Sequence, residues 1–490
     1  MRMTFLSLTT KLLLLFLFAG CVRTVRHPDR IRFMNAQNEF DWLVSEVDLP
    51  CRPLTLDDMI AIAIERNLDM YVKEFEYALQ NETSIQAQFK LMPRADWDSE
   101  VSWRNRNTGS ASESLVPNIP PAPPSISSEQ NVHRYRITFT WNLIDYAVSF
   151  FRAREETNKT LMKQIEYTRV KQNLILAVTQ QYWKAVQAKK GMEEGQKLIE
   201  AIRILGEKFK RGAANRDISE IIALQSRFQL INMEVAFKEY QKDYHASISQ
   251  LALQMGFSPW VNFEIDTPDK LPDHLEISEC CALEELALLN RPELSGLDVE
   301  EHVYIDEARA WFFQMFPQPI LFGEPNFDGN RFLIYNNWLL AGTRAIWNIF
   351  SIPYYYQGAQ MARIQQRVTR QKRLALTLGV MVQVHLSKLL VQDTLDQFLL
   401  LNNITDVKTR LSAATAKRFE YGEINEADRL FIEYEALIAK LNAWKAYSDL
   451  QIKLEELNNA IGIPRFIQHD EEGRIQIVFD DDEDDECDDI

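Results

Sequence analysis

The residues of this 490-residue sequence with obvious chemical capacity are five cysteines, seven histidines and a run of acidic residues. None of them lies in a catalytic pattern. The sequence contains no Gly-rich phosphate loop, no His-Glu-x-x-His and no Gly-x-Ser-x-Gly. The histidines form no spaced cluster beside the cysteines, which argues against a metal site. We therefore predict that the protein is not an enzyme.

The net charge of -16 comes partly from the C-terminus, where residues 480–489 read DDDEDDECDD. Such a run is typical of a solvated tail, and the alternative is a cation site. An acidic protein repels the phosphates of nucleic acid. We therefore predict no nucleic-acid partner.

The N-terminus has the pattern of an export signal. Lys11 precedes the apolar run 12–18, and Ala19, Gly20 and Cys21 follow. The segment Leu-Phe-Ala-Gly-Cys resembles the lipobox of bacterial lipoproteins, which implies cleavage after residue 20 and lipidation of Cys21. The alternative is an ordinary secretory signal with an incidental cysteine. Beyond the signal no segment exceeds about 18 apolar residues without a charge, so we predict no membrane-spanning helix there, and any insertion must use strands.

The segments that must position any functional residue occur twice. Trp141-Asn142 returns 206 residues later as Trp347-Asn348, and the turn at Gly256 returns at Gly462. Each half reads helix, hairpin, long helix, Gly turn and helix. The predicted units are a signal peptide 1–20, a tether 21–53, a first repeat 54–260, a connection 261–281, a second repeat 282–464 and a C-terminal segment 465–490.

Each repeat carries one predicted β-hairpin, at 95–147 and at 317–350. In the first, apolar residues from Tyr135 to Leu143 alternate with polar ones, and a proline-rich loop precedes them. The second hairpin alternates less clearly. The tryptophans and phenylalanines near the strand ends fit either the aromatic girdles of a transmembrane barrel or the core of a small soluble sheet.

The long helices are predicted at 149–210 and 354–417, each roughly 90 Å long. Their partners are predicted at 217–255 and 425–461. Apolar residues follow these helices as stripes, which need neighbouring helices to cover them. The alternative is a coiled-coil stalk.

In this order the segments resemble the TolC family of outer membrane efflux proteins, over about residues 54–464. The resemblance rests on Leu54-Thr55-Leu56-Asp57-Asp58, on Asn290-Arg291-Pro292-Glu293-Leu294 and on the turn Tyr421-Gly422-Glu423-Ile424-Asn425. It implies a mainly α-helical homotrimer with a twelve-stranded transmembrane β-barrel continuous with a twelve-helix periplasmic α-barrel. It also implies an outer membrane location, a periplasmic adaptor and an inner-membrane transporter as partners, and neither catalytic residues nor a cofactor.

Physical reasoning also favours an oligomer. Four strands cannot close a barrel, and an open sheet edge in lipid leaves backbone groups unsatisfied at several kcal/mol each. Several copies must therefore complete the cylinder. The competing hypothesis is a structural or adhesive helical lipoprotein that forms no pore.

The resemblance further implies that the helix tips close the tunnel. Asp428 falls at the position of the family's first acidic ring, Phe431 replaces its second, and Asp217 lies near the equivalent place in the first half. An Asp428 ring would favour cations, whereas a Phe431 ring would gate by dewetting. The tip turns, with Gly212, Tyr421, Gly422 and Glu423, are predicted to dock the adaptor. Neighbouring charged residues either pair between helices or contact the adaptor; these are Arg211, Arg216, Arg418, Glu426 and Arg429.

The remaining cysteines flank the repeats. The family places its termini and its mid-chain connection in one band around the tunnel, which implies that Cys51 lies near Cys280 and Cys281. A disulfide from Cys51 to one of them is one expectation, and free buried thiols are the other.

Overall fold

The computed structural model describes residues 27–44, 52–112, 115, 120, 122–214, 220–272, 283–424, 426–463, 467–469 and 475–477. The helices are α1 (Pro28–Val44), α2 (Leu56–Arg66), α3 (Leu68–Phe89), α4 (Leu143–Ala214), α5 (Glu220–Gln254), α6 (Leu283–Asn290), α7 (Pro292–Phe313), α8 (Ile352–Glu420) and α9 (Glu426–Ile461). The strands are β1 (Arg94–Trp103), β2 (Thr108–Ser110), β3 (Ser125–Ser128), β4 (Asn131–Asn142), β5 (Gln318–Asp328), β6 (Asn337–Ile346), β7 (Ile467–His469) and β8 (Ile475–Ile477).

The predicted duplication appears as two runs of the same elements. Helices α2 and α3, strands β1 and β4, and helices α4 and α5 correspond to α6 and α7, β5 and β6, and α8 and α9. The long helices α4 and α8 have 72 and 69 residues. At 1.5 Å per residue each is a rod of roughly 105 Å.

The strand β4 runs directly into α4, which begins at Leu143 rather than at the predicted Ser149. Asn142 explains this early start. Its side-chain oxygen accepts hydrogen bonds from the backbone N–H groups of Ile144 and Asp145 at 3.1 and 3.2 Å, as an N-cap does. In the second half Asn348 precedes a short 3₁₀ turn, Ile349–Ser351, that leads into α8. The repeated Trp-Asn pair therefore marks the strand-to-helix junction in both halves.

The strands β1, β4, β5 and β6 form one antiparallel sheet in that order. The two hairpins lie side by side because β4 of the first pairs with β5 of the second. Strands β2 and β3 form a separate two-stranded sheet inside the segment that we predicted as a loop. A third small sheet, β7 and β8, follows α9.

The two repeats share one hydrophobic core around the middle of the long helices. It contains Val178 of α4 and Leu251 of α5 together with Val384 of α8 and Leu450 of α9, all at most 1 % exposed. The rings of Trp183 and Tyr447 cross at 90° with centroids 5.4 Å apart, which joins α4 to α9. This core fixes the two helical hairpins relative to each other.

The segment that we assigned to a tether contains the helix α1. None of its residues is buried. Phe40 lies edge-on to Trp260, with ring centroids 5.9 Å apart. This helix thus contacts the body of the protein through its C-terminal half.

Candidate functional site

One face of the four-stranded sheet carries no Asp, Glu, Lys or Arg along its strands. The register places Trp97 beside Ile137 and Tyr135 beside Phe327 on this face. These side chains are uncovered within the described chain: Trp97 and Leu339 are each 72 % exposed and Val101 is 69 % exposed. The sheet is therefore not a small soluble sheet that buries its aromatics. An uncharged, uncovered sheet face is what a lipid-facing barrel wall requires.

The height of this apolar face fits a membrane. In register it extends from the level of Trp141 to the level of Trp103, about ten residues along the strand. At 3.3 Å per residue and a tilt near 40° this is roughly 25 Å, the height of the apolar band of an outer membrane barrel. One aromatic pair, Trp141 with Tyr146, lies at the helix-proximal end of this face with ring centroids 5.9 Å apart, and Tyr135 stacks on Phe327 near its middle, with centroids 6.0 Å apart.

The opposite face carries a row of cross-strand ion pairs. Arg136 lies 2.6 Å from Asp98, and Arg134 lies 2.9 Å from Asp328 and 3.4 Å from Glu100. These pairs connect β1, β4 and β5. The sheet therefore separates a charged surface from an apolar one, as the wall of a water-filled barrel must.

Both edges of the sheet are unpaired within the described chain, because β1 bonds only to β4 and β6 only to β5. Their free N–H and C=O groups have no partner in the monomer's sheet. In lipid each such group costs several kcal/mol. A sheet with two such edges would need further strands on both sides to lie in lipid.

The far ends of the two hairpins are joined by Asn330. Its side-chain NH₂ donates to the Ser127 carbonyl at 2.9 Å, and its oxygen accepts from the Glu129 N–H at 3.3 Å. Arg331 forms an ion pair with Glu129 at 2.9 Å. These contacts hold the β2–β3 extension against the turn of the second hairpin.

The junction between sheet and helices contains a buried carboxylate that the sequence analysis missed. Asp306 of α7 is 0 % exposed and accepts two hydrogen bonds from Arg154 of α4, at 2.7 and 2.8 Å. Arg309 lies 3.2 Å from the same carboxylate. The sequence does contain a sign of this burial. The spacing of a buried helix face is followed by Val303, Asp306 and Ala310.

The middle of α8 exposes an unusually apolar surface. Among the described helices it alone is long and apolar enough by composition to cross a membrane, with an 18-residue window of mean hydropathy 1.7 that is 17 % buried. This apolar segment is residues 374–391, in which the side chains of Leu378 and Val382 are 64 % and 58 % exposed. Val380 and Val384 of the same segment are buried in the shared core. One side of this stretch is thus core and the other is uncovered.

The motif Asn290-Arg291-Pro292-Glu293-Leu294 forms a buried structural cluster. Arg291 is 4 % exposed and donates to the Asn459 carbonyl at 3.1 Å and to the Gln383 side chain at 2.8 Å. Glu293 lies 2.6 Å from Arg169 of α4, and desolvation lowers the pKa of that arginine. The motif therefore ties α7 to α4, α8 and α9.

At the tip of the second helical hairpin, Gly422 ends α8 in a Schellman motif. The Glu423 N–H donates to the Arg418 carbonyl and the Gly422 N–H to the Phe419 carbonyl, both at 3.0 Å. Gly422 has φ +73°, which favours glycine. Tyr421 is 81 % exposed, and Glu423 pairs with Arg418 at 3.4 Å. The predicted turn is confirmed, while its role in docking an adaptor stays a prediction.

The predicted constriction residues lie in the first turns of α9. Asp428 is exposed and Phe431 is 37 % exposed. Glu426, two residues before Asp428, forms a 2.6 Å ion pair with Lys208 of α4. This pair joins the tips of the two helical hairpins. Arg429 lies over the Phe419 ring and pairs with Glu433, and both contacts are within the second hairpin.

The tip of the first hairpin differs slightly from the prediction. Helix α4 continues through Gly212 to Ala214, so Gly212 is helical and does not form the predicted turn. Asp217 and Arg216 lie outside the described residues, as do Cys21, Cys51, Cys280, Cys281 and Cys487. Lipidation, the disulfide and the role of Asp217 stay predictions.

No family model and no curated protein match this sequence. Solved structures do match: a structure of CusC, described in terms of transmembrane channel formation, has a TM-score of 0.66 at 13 % identity and covers 86 % of this chain and 96 % of its own. The open state of the Neisseria gonorrhoeae MtrE outer membrane channel has a TM-score of 0.66 at 13 % identity, covering 86 % and 94 %. The Campylobacter jejuni CmeC outer membrane channel has a TM-score of 0.63 at 14 % identity, covering 83 % and 85 %.

This chain has the outer membrane channel fold. The likeness covers nearly the whole length of each channel structure, so both the sheet and the long helices belong to it. These relatives are described as channels and not as enzymes. The uncharged sheet face, the unpaired edges and the 105 Å helices therefore have a common explanation within one fold.

Proposed function

We propose that this protein is the outer membrane exit duct of a tripartite efflux or type I secretion system. In this proposal three copies close a twelve-stranded barrel in the outer membrane and a twelve-helix tunnel in the periplasm. The observation that carries it is the sheet with one uncharged, exposed face and two open edges, continuous with helices that reach about 100 Å beyond it. A structure with these properties is incomplete as a monomer and complete as a cylinder.

The exposed apolar side of α8 supports the same assembly. Residues 374–391 are too amphipathic to be a bilayer span, because Val380 and Val384 are already committed to the protein core. In a cyclic trimer the uncovered side would pack against the helices of the next copy. The water-facing sides of the helices would then line the tunnel.

The helix tips supply the proposed closed end. Three copies of Asp428 would ring the opening near the turn at Gly422, with Phe431 one turn further along α9. The Lys208–Glu426 pair links the first hairpin to the second, so separating the hairpins would break it. The adaptor and inner-membrane pump would act on these tips, and Cys21 would anchor the N-terminus by lipid.

The experiment is purification in detergent followed by electron microscopy and planar-bilayer recording. We expect hollow threefold particles and discrete single-channel conductance. Changing Asp428 to alanine should raise the conductance of the closed state and weaken block by multivalent cations, whereas exposed Asp393 on α8, far from the tip, is a matched control. Solid monomeric rods without conductance would favour the structural lipoprotein instead.

A further inference from the structure

The two open edges of the sheet have complementary charge. Arg344 is the only charged residue in β6, and among the described residues it has no ion-pair partner in its own chain. The β1 edge carries Asp96, Asp98 and Glu100 at successive positions of one face. The sheet register places Arg344 on that same charged face, because it pairs with Ile320, and Ile320 pairs with Asn142.

The acidic row on β1 is incompletely neutralised within one copy. Asp98 pairs with Arg136, and Asp96 with its neighbour Arg94, which is 78 % exposed. Glu100 shares Arg134 with Asp328. The β1 edge thus offers more carboxylates than the strands beside it can saturate.

Barrel geometry decides which residues meet when copies join. In its own sheet Arg344 pairs with Ile320 and Ile320 with Asn142, which lies two residues beyond the Arg94–Thr140 pair. Arg344 is therefore level with residue 92, two residues before β1 begins. A twelve-stranded barrel tilted by about 35–45° is staggered by roughly 12–17 residues in total, or about four to six per subunit. Only even offsets keep the charged faces on one side. Offsets of four and six place Arg344 opposite Asp96 and Asp98 of the next copy.

Either offset places Arg344 opposite a carboxylate of the next copy. With an offset of four, all ten residues of β6 pair with all ten of β1, so that Asn337 meets Trp103 and Ile346 meets Arg94. An offset in the opposite direction would place Arg344 against residues of α3, where no strand exists. The strand lengths therefore favour the same direction as the charges.

We propose that Arg344 of one copy forms an ion pair with the β1 carboxylates of the neighbouring copy, Asp96 or Asp98, on the inner side of each seam. The partner copy thus contributes half of the site, and the pair fixes the register in which the barrel closes. A slip of one residue would turn the charged face toward lipid, which makes a charge at the seam an effective register mark. The inference rests on the proposed trimer.

The test is a charge exchange in the full-length protein. Arg344→Glu places two carboxylates opposite each other at each of the three seams. We expect the amount of trimer that resists SDS on unheated gels to fall by about tenfold or more. Asp96→Arg and Asp98→Arg should each weaken the trimer, and Arg344→Glu should be rescued by the one that is its partner. Arg331→Glu, which breaks a pair with Glu129 inside one chain, is the matched control.

Cysteine cross-linking reads the register without a charge reversal. With Cys51, Cys280, Cys281 and Cys487 changed to serine, oxidation should link copies that carry Arg344→Cys with either Asp96→Cys or Asp98→Cys. Arg344→Cys with Trp97→Cys should not cross-link, because Trp97 lies on the outer face. Stable trimers that cross-link at neither aspartate, or that no exchange partner rescues, would overturn the seam. Absence of any trimer from the unmodified protein would overturn the proposed function itself.

Discussion

Three glycines with positive φ provide a graded test of the packing. Gly256 and Gly462 end α5 and α9 at equivalent places in the two repeats, with φ +70° and +95°, and Gly422 has φ +73° at the tip. A Cβ at Gly256 would lie 2.4 Å from the Arg66 carbonyl oxygen, and one at Gly462 would lie 2.7 Å from that of Asn290. At Gly422 a Cβ meets nothing within 4 Å.

These distances give different energies for one chemical change. Gly422→Ala carries only the cost of a left-handed alanine, about 1–2 kcal/mol. Gly256→Ala and Gly462→Ala add an overlap with backbone that cannot rotate away, so we expect roughly 2–5 kcal/mol at each. Gly379 lies inside α8, where an added Cβ meets no atom of the same chain within 4 Å, and Gly379→Ala should stabilise the fold of each copy by roughly 0.5–1 kcal/mol.

The assay is the thermal loss of helical circular dichroism of the purified protein, with all four variants measured in one detergent. The expected order of stability is Gly379→Ala, unmodified protein, Gly422→Ala, and then the two repeat-end variants together. An equal loss at Gly422 and Gly462 would refute the close backbone approach at the ends of the repeats. A large difference between Gly256 and Gly462 would refute their structural equivalence.

Three further predictions concern the tip, the sheet and the core. Lys208→Ala should increase the open probability of the channel in bilayer recordings, because it removes the ion pair with Glu426. An exposed pair contributes about 0.2–1 kcal/mol per subunit, so the loss of three pairs should raise the ratio of open to closed channels by up to roughly a hundredfold. Exchanging Lys208 and Glu426 should restore the closed state. Trp97→Arg places a charge on the apolar face and should cost about 2–4 kcal/mol, seen as lost membrane assembly, whereas Ser102→Arg on the opposite face should assemble. Burial raises the pKa of Glu455 from 4.5 to about 7, so the folded state binds more protons and stability should fall as pH rises from about 4.5 to 7, by up to roughly 3 kcal/mol. Glu455→Gln should remove this slope in pH-dependent melting curves; an unchanged slope would assign it to another group.

The sequence was informative where structure follows from local pattern. The alternation from Tyr135 to Trp141 predicted a strand because side chains alternate between the faces of a sheet, and the register confirmed that they share one face. Gly422 predicted the tip turn because few residues tolerate its backbone conformation. The recurrence of Trp-Asn at 141 and 347 predicted the duplication, since equal segments in equal order fold into equal elements.

Contacts between distant segments were decided only by the tertiary structure. No local signal indicates that β4 pairs with β5 across nearly two hundred residues, yet that pairing joins the hairpins and creates the charged and uncharged faces. Asp306 has the spacing of a core position, and only the approach of Arg154 from α4 explains how a carboxylate can be buried there. Local periodicity fixes the faces of each strand and helix, because the spacing of side chains depends only on backbone geometry. Which faces meet depends on how the whole chain packs, since a strand edge or an apolar stripe is satisfied equally well by any partner of matching shape and charge.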